Sequence, residues 1–304
     1  MKNMKKLLFI INPKAGMKTG RKLLPEMITR LTGAGYLCTV IVTEKRGQAA
    51  ETAAELGGDA DMVAACGGDG TLNEVITGML RGGHSTVLGY IPCGSTNDFA
   101  AGLGLPTDLM KACGIIAEGS PVTIDAGRFG ADRFFSYTAS FGAFAAVSYS
   151  TPQNVKNVIG HAAYILEGIR SLADIRPVHM KVTVGDRVIE DDFIFGAVCN
   201  STSLGGVLKL DNSEVHMNDG LFEALLIPFP PDLIALNKII IALTSHDYND
   251  PSLIFLRAPE FRFESDTEVS WTLDGESAEG GKKVTITNIS SAITLMTEPG
   301  KSKI

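Results

Sequence analysis

Short apolar runs alternate with amphipathic stretches through the first 124 residues, and the pattern changes from Asp125 onward. Residues 6–11, 37–43, 62–66 and 87–91 are apolar at nearly every position and too short for helices, as strands covered on both faces are. Between them, residues 20–34, 47–56, 72–81 and 109–118 carry apolar residues at helical spacing. Strands alternating with helices predict a parallel sheet with crossover helices. Beyond residue 125, HMKVTVGDRVIEDDFIFGAVCN, FEALLIPF and KKVTITNISSAITLM alternate apolar with polar positions between polar turns, which predicts antiparallel strands. One helical stretch, 155–173, interrupts them. The expected organisation is an α/β domain over 1–124 and a β-rich domain over 125–294, with the tail 295–304 a candidate to rejoin the first.

A chain of 304 residues, 45% hydrophobic and 20% charged, is long enough for two packed domains and is not disordered as a whole. No run approaches the ~20 apolar residues of a membrane span. The best, 234–243, is broken by Asn237 and Lys238, so a soluble protein is expected. The lysine-rich start imitates a signal peptide, but the run 7–11 is shorter than the ~7 residues of a signal core and precedes no small-residue cleavage site. It reads as a first strand.

The net charge of -7 argues against nucleic acid as a partner. Residues 1–124 hold 12 Lys+Arg against 11 Asp+Glu, and 125–304 hold 15 against 23, so the first half is near neutral and the second acidic. Two domains with different tasks would show such a split. Five cysteines, odd in number, scattered and never spaced CxxC, suit reduced thiols in the cytoplasm and places in the core. Histidines 84, 161, 179, 216 and 246 share no metal-binding spacing, and no GxSxG elbow marks a serine hydrolase.

The densest chemical signal is Gly67, Gly68, Asp69, Gly70, Thr71, Leu72, Asn73 and Glu74, which follows a buried-strand pattern and opens a helix. Glycines let backbone approach a phosphate closely, and free amides at a helix start favour anionic oxygens. An ordinary turn needs one or two special residues, not three glycines in four positions. Two more loops repeat the logic at strand ends: Asn12, Pro13, Lys14, Ala15 and Gly16, then the loop from Gly94 through Ser95 to Ala100. The 16–22 stretch GMKTGRK lacks the Walker spacing, and Asn73 stands where a dinucleotide fingerprint needs its third glycine. A Walker ATPase and an NAD-dependent dehydrogenase are both disfavoured. In the β-rich half, Asn218-Asp219-Gly220-Leu221 and Leu273-Asp274-Gly275-Glu276 are singly ordinary turns, but phosphoryl transfer needs carboxylates for Mg2+ and for a hydroxyl proton.

Taken in order, NPKAG, GGDGTLNE, GSTNDFA, NDGLFEALLI and LDGE span nearly the whole chain and resemble the bacterial diacylglycerol kinase catalytic-domain family of soluble lipid kinases, related to sphingosine, ceramide and NAD kinases. The resemblance implies an N-terminal α/β nucleotide domain, a C-terminal antiparallel β-sandwich and an active cleft between them. It implies ATP phosphates on the loop 67–73, with Asn12 to Gly16, Thr43 and Ser95 completing the nucleotide site. It implies Asp274 as general base with Glu276 beside it, and a structural Mg2+ at Asp219 with backbone oxygens near His216 and Leu221. Ser95 departs from the family's threonine but keeps the hydroxyl.

The expected reaction passes the γ-phosphoryl group of ATP to a hydroxyl of a membrane lipid, diacylglycerol first. A sphingoid base, ceramide or phosphatidylglycerol would serve the same motifs, GGDGT with the following NE also occurs in NAD kinases, and a non-catalytic nucleotide-binding regulator is the reading from another class. An aspartate with a pKa near 4 is a weak base, so Asp274 is expected mainly to orient the hydroxyl. Lys14, Lys18, Arg21 and Lys22 face either phosphate or solvent. The lipid acceptor implies a cytoplasmic protein, peripheral at the inner membrane surface, although no lipidation motif or basic amphipathic helix supports attachment. Oligomeric state is open, a homodimer included.

Overall fold

The computed structural model describes residues 4–16, 19–95, 97–142, 176–201, 203–204, 208–209 and 216–300. The helix expected at 155–173 lies outside them. The N-terminal half runs β1 (Lys5–Ile11), α1 (Thr19–Gly33), β2 (Tyr36–Val42), α2 (Gln48–Leu56), β3 (Met62–Gly67), α3 (Asp69–Arg81), β4 (Val87–Pro92), α4 (Asp98–Leu103) and α5 (Leu109–Glu118). Its strands pair in parallel in the order β2-β1-β3-β4. Every residue of β3 is buried, because core clusters cover both faces of the sheet: Val63 and Ala65 pack with Leu72, Val75 and Ile76 of α3, while Ala64 and Cys66 pack with Met27 and Leu31 of α1. Continuous apolar runs therefore form these strands, as two-sided burial requires.

The second half holds β5 (Ser120–Phe129), β6 (Arg133–Phe135), β7 (Thr138–Gly142), β8 (Val178–Val184), β9 (Arg187–Cys199), the short pair β10 (Ser203–Leu204) and β11 (Leu208–Lys209), β12 (Phe222–Pro228), α6 (Leu233–Ser245), β13 (Ile254–Ala258), β14 (Glu260–Glu264), β15 (Ser270–Leu273), β16 (Glu276–Glu279) and β17 (Lys283–Thr297). Pairings among these strands are antiparallel. They enclose an aromatic core in which the Trp271 ring lies 4.9 Å from Phe141, 5.1 Å from Phe263 and 5.3 Å from Phe129, centroid to centroid. β17 links the halves: its first part pairs with β14, Leu295 near its end pairs in parallel with Leu88 of β4, and β5 runs beside both parts with a register shift between Ile289 and Ile293. The result is one fifteen-stranded mixed sheet, parallel at its N-terminal end and sandwich-like beyond.

Three elements differ from expectation. α3 begins at Asp69 rather than at residue 72, because Gly68 is extended and the Leu72 amide already bonds the Gly68 carbonyl at 3.1 Å. Asp69 to Asn73 thus form the first helical turn, where an acidic residue is favoured by the helix dipole, and only Gly68 lies between the end of β3 at Gly67 and the helix. α4 lies where a loop was expected, with its amides satisfied by a distant side chain described below. The apolar run 234–243 is the helix α6, capped by Asp232, whose Oδ1 accepts from the Ala235 amide at 2.7 Å. Leu236 is buried, and Ile239, Ala242 and Leu243 pack with Phe195 and Leu225 on the outside of β9 and β12. Among the described residues, no helix is long and apolar enough to cross a membrane.

Candidate active cleft

Three loops leave the carboxyl ends of β1, β3 and β4, and backbone bonds hold them in line: Asn12 donates to the Cys66 carbonyl and Cys93 to the Gly67 carbonyl, each at 2.9 Å. Only glycine fits where they touch. A Cβ on Gly94 would lie 2.6 Å from the Gly68 Cα, and one on Gly16, whose φ is +52°, would lie 1.9 Å from the Cys93 carbonyl oxygen. Asp69 staples two of the loops, since its carboxylate accepts from the Asp98 amide at 3.0 Å and the Phe99 amide at 3.3 Å. Those contacts satisfy the start of α4. Asn12 Nδ2 donates to Thr71 Oγ1 at 3.2 Å and so ties the first loop to the second.

These loops border a cavity of about 250 Å³ lined by Asn12, Lys14, Thr43, Gly70, Thr71 and, from the other half of the chain, Glu276. Pro13, Ala15, Gly16, Gly67, Gly68 and Ser95 shape the loops without lining it, and Leu72 is a core residue packed beside Val75. Arg46 and Glu74 also line the cavity; Arg46 escaped the sequence reading, and Glu74, read as the end of the glycine motif, was not assigned to the site. Arg46 Nη2 pairs with Glu276 Oε2 at 2.6 Å across the cleft, while the Glu74 carboxylate accepts from the Gly47 and Ala49 amides at 2.8 and 3.2 Å, securing the start of α2. A glutamate directly after the glycine motif was the available signal for the second.

Asp274 sits in the two-residue turn between β15 and β16, with φ of 48° followed by 83° at Gly275, the left-handed pair that an Asp-Gly hairpin adopts. Its side chain is buried and accepts five hydrogen bonds. Oδ2 takes Asn73 Nδ2 at 2.7 Å and the Ser136 amide and hydroxyl at 2.6 Å each; Oδ1 takes the Tyr137 and Thr138 amides at 3.0 Å. Burial pushes its pKa above the ordinary carboxylate value, and the Ser136, Thr138 and Tyr137 donors pull against that shift. This corrects the expectation of an ordinary pKa near 4, because neither the burial nor the segment 136–138 can be read from the turn sequence. Asn73 joins the glycine-motif helix directly to this carboxylate.

The Asp219 turn is built differently. Asp219 Oδ1 accepts from the Leu221 amide at 2.9 Å, and Oδ2 takes Arg257 Nη2 at 2.8 Å. Arg257 Nε reaches Glu223 Oε1 at 3.0 Å, and burial drives the Glu223 pKa up to about 7 against that partner. The Leu221 carbonyl accepts from Asn288 Nδ2 at 3.2 Å, and His216 is exposed. No group of three or more His, Cys, Asp or Glu placed for a metal exists among the described residues. The fit to Mg2+ is one of ligand type: this ion takes oxygens, and Asp219, the Leu221 carbonyl and the buried, unpartnered Glu223 Oε2 and Asn288 Oδ1 are oxygens, with Arg257 already a cation among them.

Residues 6–129 match the family model of the diacylglycerol kinase catalytic domain, and residues 138–297 match that of the YegS C-terminal NAD kinase beta sandwich-like domain. A diacylglycerol kinase of Staphylococcus epidermidis is 32% identical over 280 residues, covering 91% of this chain and 87% of the relative. That of Staphylococcus saprophyticus is 33% identical, covering 91% and 90%. The crystal structure of a diacylglycerol kinase from Bacillus anthracis matches with a TM-score of 0.76 at 21% identity over 98% of this chain and 99% of its own, which shows the shared fold. The chain belongs to the diacylglycerol kinase family and is a kinase, with ATP as its co-substrate.

Proposed function

We propose that this kinase transfers the γ-phosphoryl group of ATP to a hydroxyl of a membrane lipid, diacylglycerol being the acceptor named for its relatives, and so makes phosphatidic acid. The observation that carries this reading is the 2.7 Å bond from Asn73 to Asp274, which couples the glycine-motif helix to the buried carboxylate of the other half. In this reading the nucleotide phosphates lie along Asn12 to Gly16 and Gly67 to Asn73, with Thr43 and Ser95 at the edges and the Lys14 ammonium facing the anionic oxygens. Residues 1–124 then form the donor side and 125–294 the acceptor side, with residues of the tail from 295 returning to the first.

Asp274 accepts the acceptor's proton. A carboxylate offers about four lone-pair sites, and five donors already fill them. The Ser136 hydroxyl is the donor that leaves by rotating one bond, so the lipid hydroxyl takes its place on Oδ2 and is aligned for in-line attack. Raised by burial, Asp274 is a better proton acceptor than an exposed aspartate, provided it stays ionised. Glu276, drawn toward the loop by Arg46, orients the donor side. Mg2+ would be held by Asp219 with the backbone of His216 and Leu221, and there it would neutralise charge and fix the turn. The enzyme acts peripherally, on lipid presented at the inner membrane surface.

The deciding experiment is incubation with Mg2+ and labelled ATP over lipids in mixed micelles, with NAD as soluble control. Label in phosphatidic acid is expected. Label in a sphingoid, ceramide or phosphatidylglycerol product would change the acceptor, and label only in NADP would overturn the lipid assignment.

A further inference from the structure

A second cavity, of about 180 Å³, adjoins the first on the acceptor side and shares Arg46, Glu74 and Glu276 with it. Its remaining wall includes Asn73 and Leu273, which flank Asp274, and the side chains of Arg81 and Arg133. Arg81 closes α3, and its Nη2 donates to the Asp132 carbonyl at 3.0 Å, which draws it beside Arg133 at the start of β6. Neither Arg81 nor Arg133 has an acidic ion-pair partner among the described residues.

Both acids of the cavity are already committed. Glu276 holds Arg46 at 2.6 Å, and the Glu74 carboxylate, still charged, is taken up by the amides that start α2. Three guanidinium groups against two engaged carboxylates leave this cavity positive in a chain of net charge -7. Guanidinium groups crowded together repel, and an anion that takes several of their N–H forks relieves this. The Ser277 hydroxyl on the same wall adds a neutral donor of the kind that accompanies arginine around phosphate oxygens, and the Thr77 hydroxyl beside it donates to Asn73 Oδ1 at 3.5 Å.

We propose that Arg81 and Arg133, with Arg46 at the rim, form a phosphate-binding subsite beside Asp274, distinct from the nucleotide cavity. Its ligand is a phosphate group, carried either on a lipid headgroup at the membrane or free in solution. Only the lipid source rests on the proposed acceptor, and binding is measured without ATP, so failure of the kinase reading and failure of the subsite are separate results.

The test compares the full chain with its Arg81→Gln/Arg133→Gln variant. Thermal unfolding is followed against inorganic phosphate, and flotation is measured with phosphatidylcholine vesicles containing or lacking phosphatidic acid. Each guanidinium bond to a charged oxygen is worth roughly tenfold in affinity, so the double variant should bind the correct source about a hundredfold more weakly. Its thermal shift with ATP should be unchanged, which proves that it is folded and that the nucleotide cavity is intact. Loss of vesicle binding alone assigns the subsite to lipid phosphate, and loss of the phosphate shift alone to the free anion. Equal behaviour of wild type and variant in both assays overturns the proposal. If the double variant fails to fold, Arg133→Gln alone is read the same way, with a tenfold loss expected.

Discussion

Asp274 and Asp219 each precede a glycine in a turn of the β-rich half, yet their carboxylates live in opposite settings. Asp274 is buried among five neutral donors, no cation among the described residues pairs with it, and burial raises its pKa. Asp219 is partly exposed, and a guanidinium bridges it to Glu223. Burial with no counter-ion raises the basicity of Asp274 against the pull of its donors, and a hydroxyl can reach the carboxylate once one donor moves aside. A charge held by a counter-ion is neutralised and serves the architecture. The comparison teaches that the surroundings, not the Asp-Gly dipeptide, divide chemistry from scaffold.

The largest effect separating the two should come from Asp274→Asn. If Asp274 is the proton acceptor, phosphoryl transfer to lipid should fall by about 10² to 10⁴. The variant's amide presents one oxygen and two N–H groups to donors that now meet two oxygens, so unfolding should also cost about 1–3 kcal/mol less. Labelled-ATP turnover and urea unfolding measure the two losses. Near-wild-type turnover in a folded variant would remove Asp274 from the chemistry.

Arg257→Met tests the opposite setting. It strands the buried Glu223 carboxylate, and removing one member of a buried pair costs up to about 3–5 kcal/mol. Because Arg257 is itself more than a third exposed, roughly 2 kcal/mol is expected here. ATP affinity should not change. Weaker ATP binding at unchanged stability would mean that the two turns are coupled, and the contrast between them would fail.

The split between the turns also marks how far the sequence could be read. All four parallel strands, α1, α2 and α5 were legible to within a residue or so, because two-sided burial and helical spacing are properties of consecutive residues. The glycines of the three loops were legible too, since they answer to backbone contacts such as Gly94 against Gly68, although Asp69 to Asn73 and Asp98 to Ala100 proved helical. What stayed hidden depends on residues far apart in the chain. Ser136 lies 138 positions before Asp274, and Arg46 lies 230 before Glu276. Asp69 reads as a phosphate-loop residue but fastens α4, and Leu72, inside the same motif, belongs to the core. The helix α6 was hidden because its two short apolar runs, parted by Asn237 and Lys238, have no periodicity that separates helix from buried strand.

A smaller effect is expected from Asp219→Asn. The variant's amide oxygen still accepts from the Leu221 amide, and Arg257 keeps Glu223, so without Mg2+ stability should fall by less than about 1 kcal/mol. If Asp219 holds Mg2+, adding the ion raises the melting temperature of wild type and not of the variant. Equal Mg2+ responses would leave this turn to Arg257 alone.

Ser136→Ala gives the smallest change and the most specific one. It removes one of the two Ser136 bonds to Asp274 Oδ2, the 2.6 Å hydroxyl bond, and leaves the amide in place. Hydrogen bonds to the charged form lower a carboxyl pKa and burial raises it, so losing the hydroxyl moves Asp274 further up. Phosphoryl transfer needs the ionised base, and the acid limb of the kcat/KM profile should therefore shift to higher pH, while turnover at pH 8 falls less than about tenfold. Stability follows with a defined sign. Where the folded pKa lies above the unfolded one, the native state holds the extra proton between the two values, so stability declines as pH rises through that window. The variant extends the window upward, and urea unfolding across it should show the decline continuing to higher pH than in wild type. An acid limb that stays in place would mean that the hydroxyl does not tune Asp274, and a shift to lower pH would mean that Ser136 holds the protonated form instead.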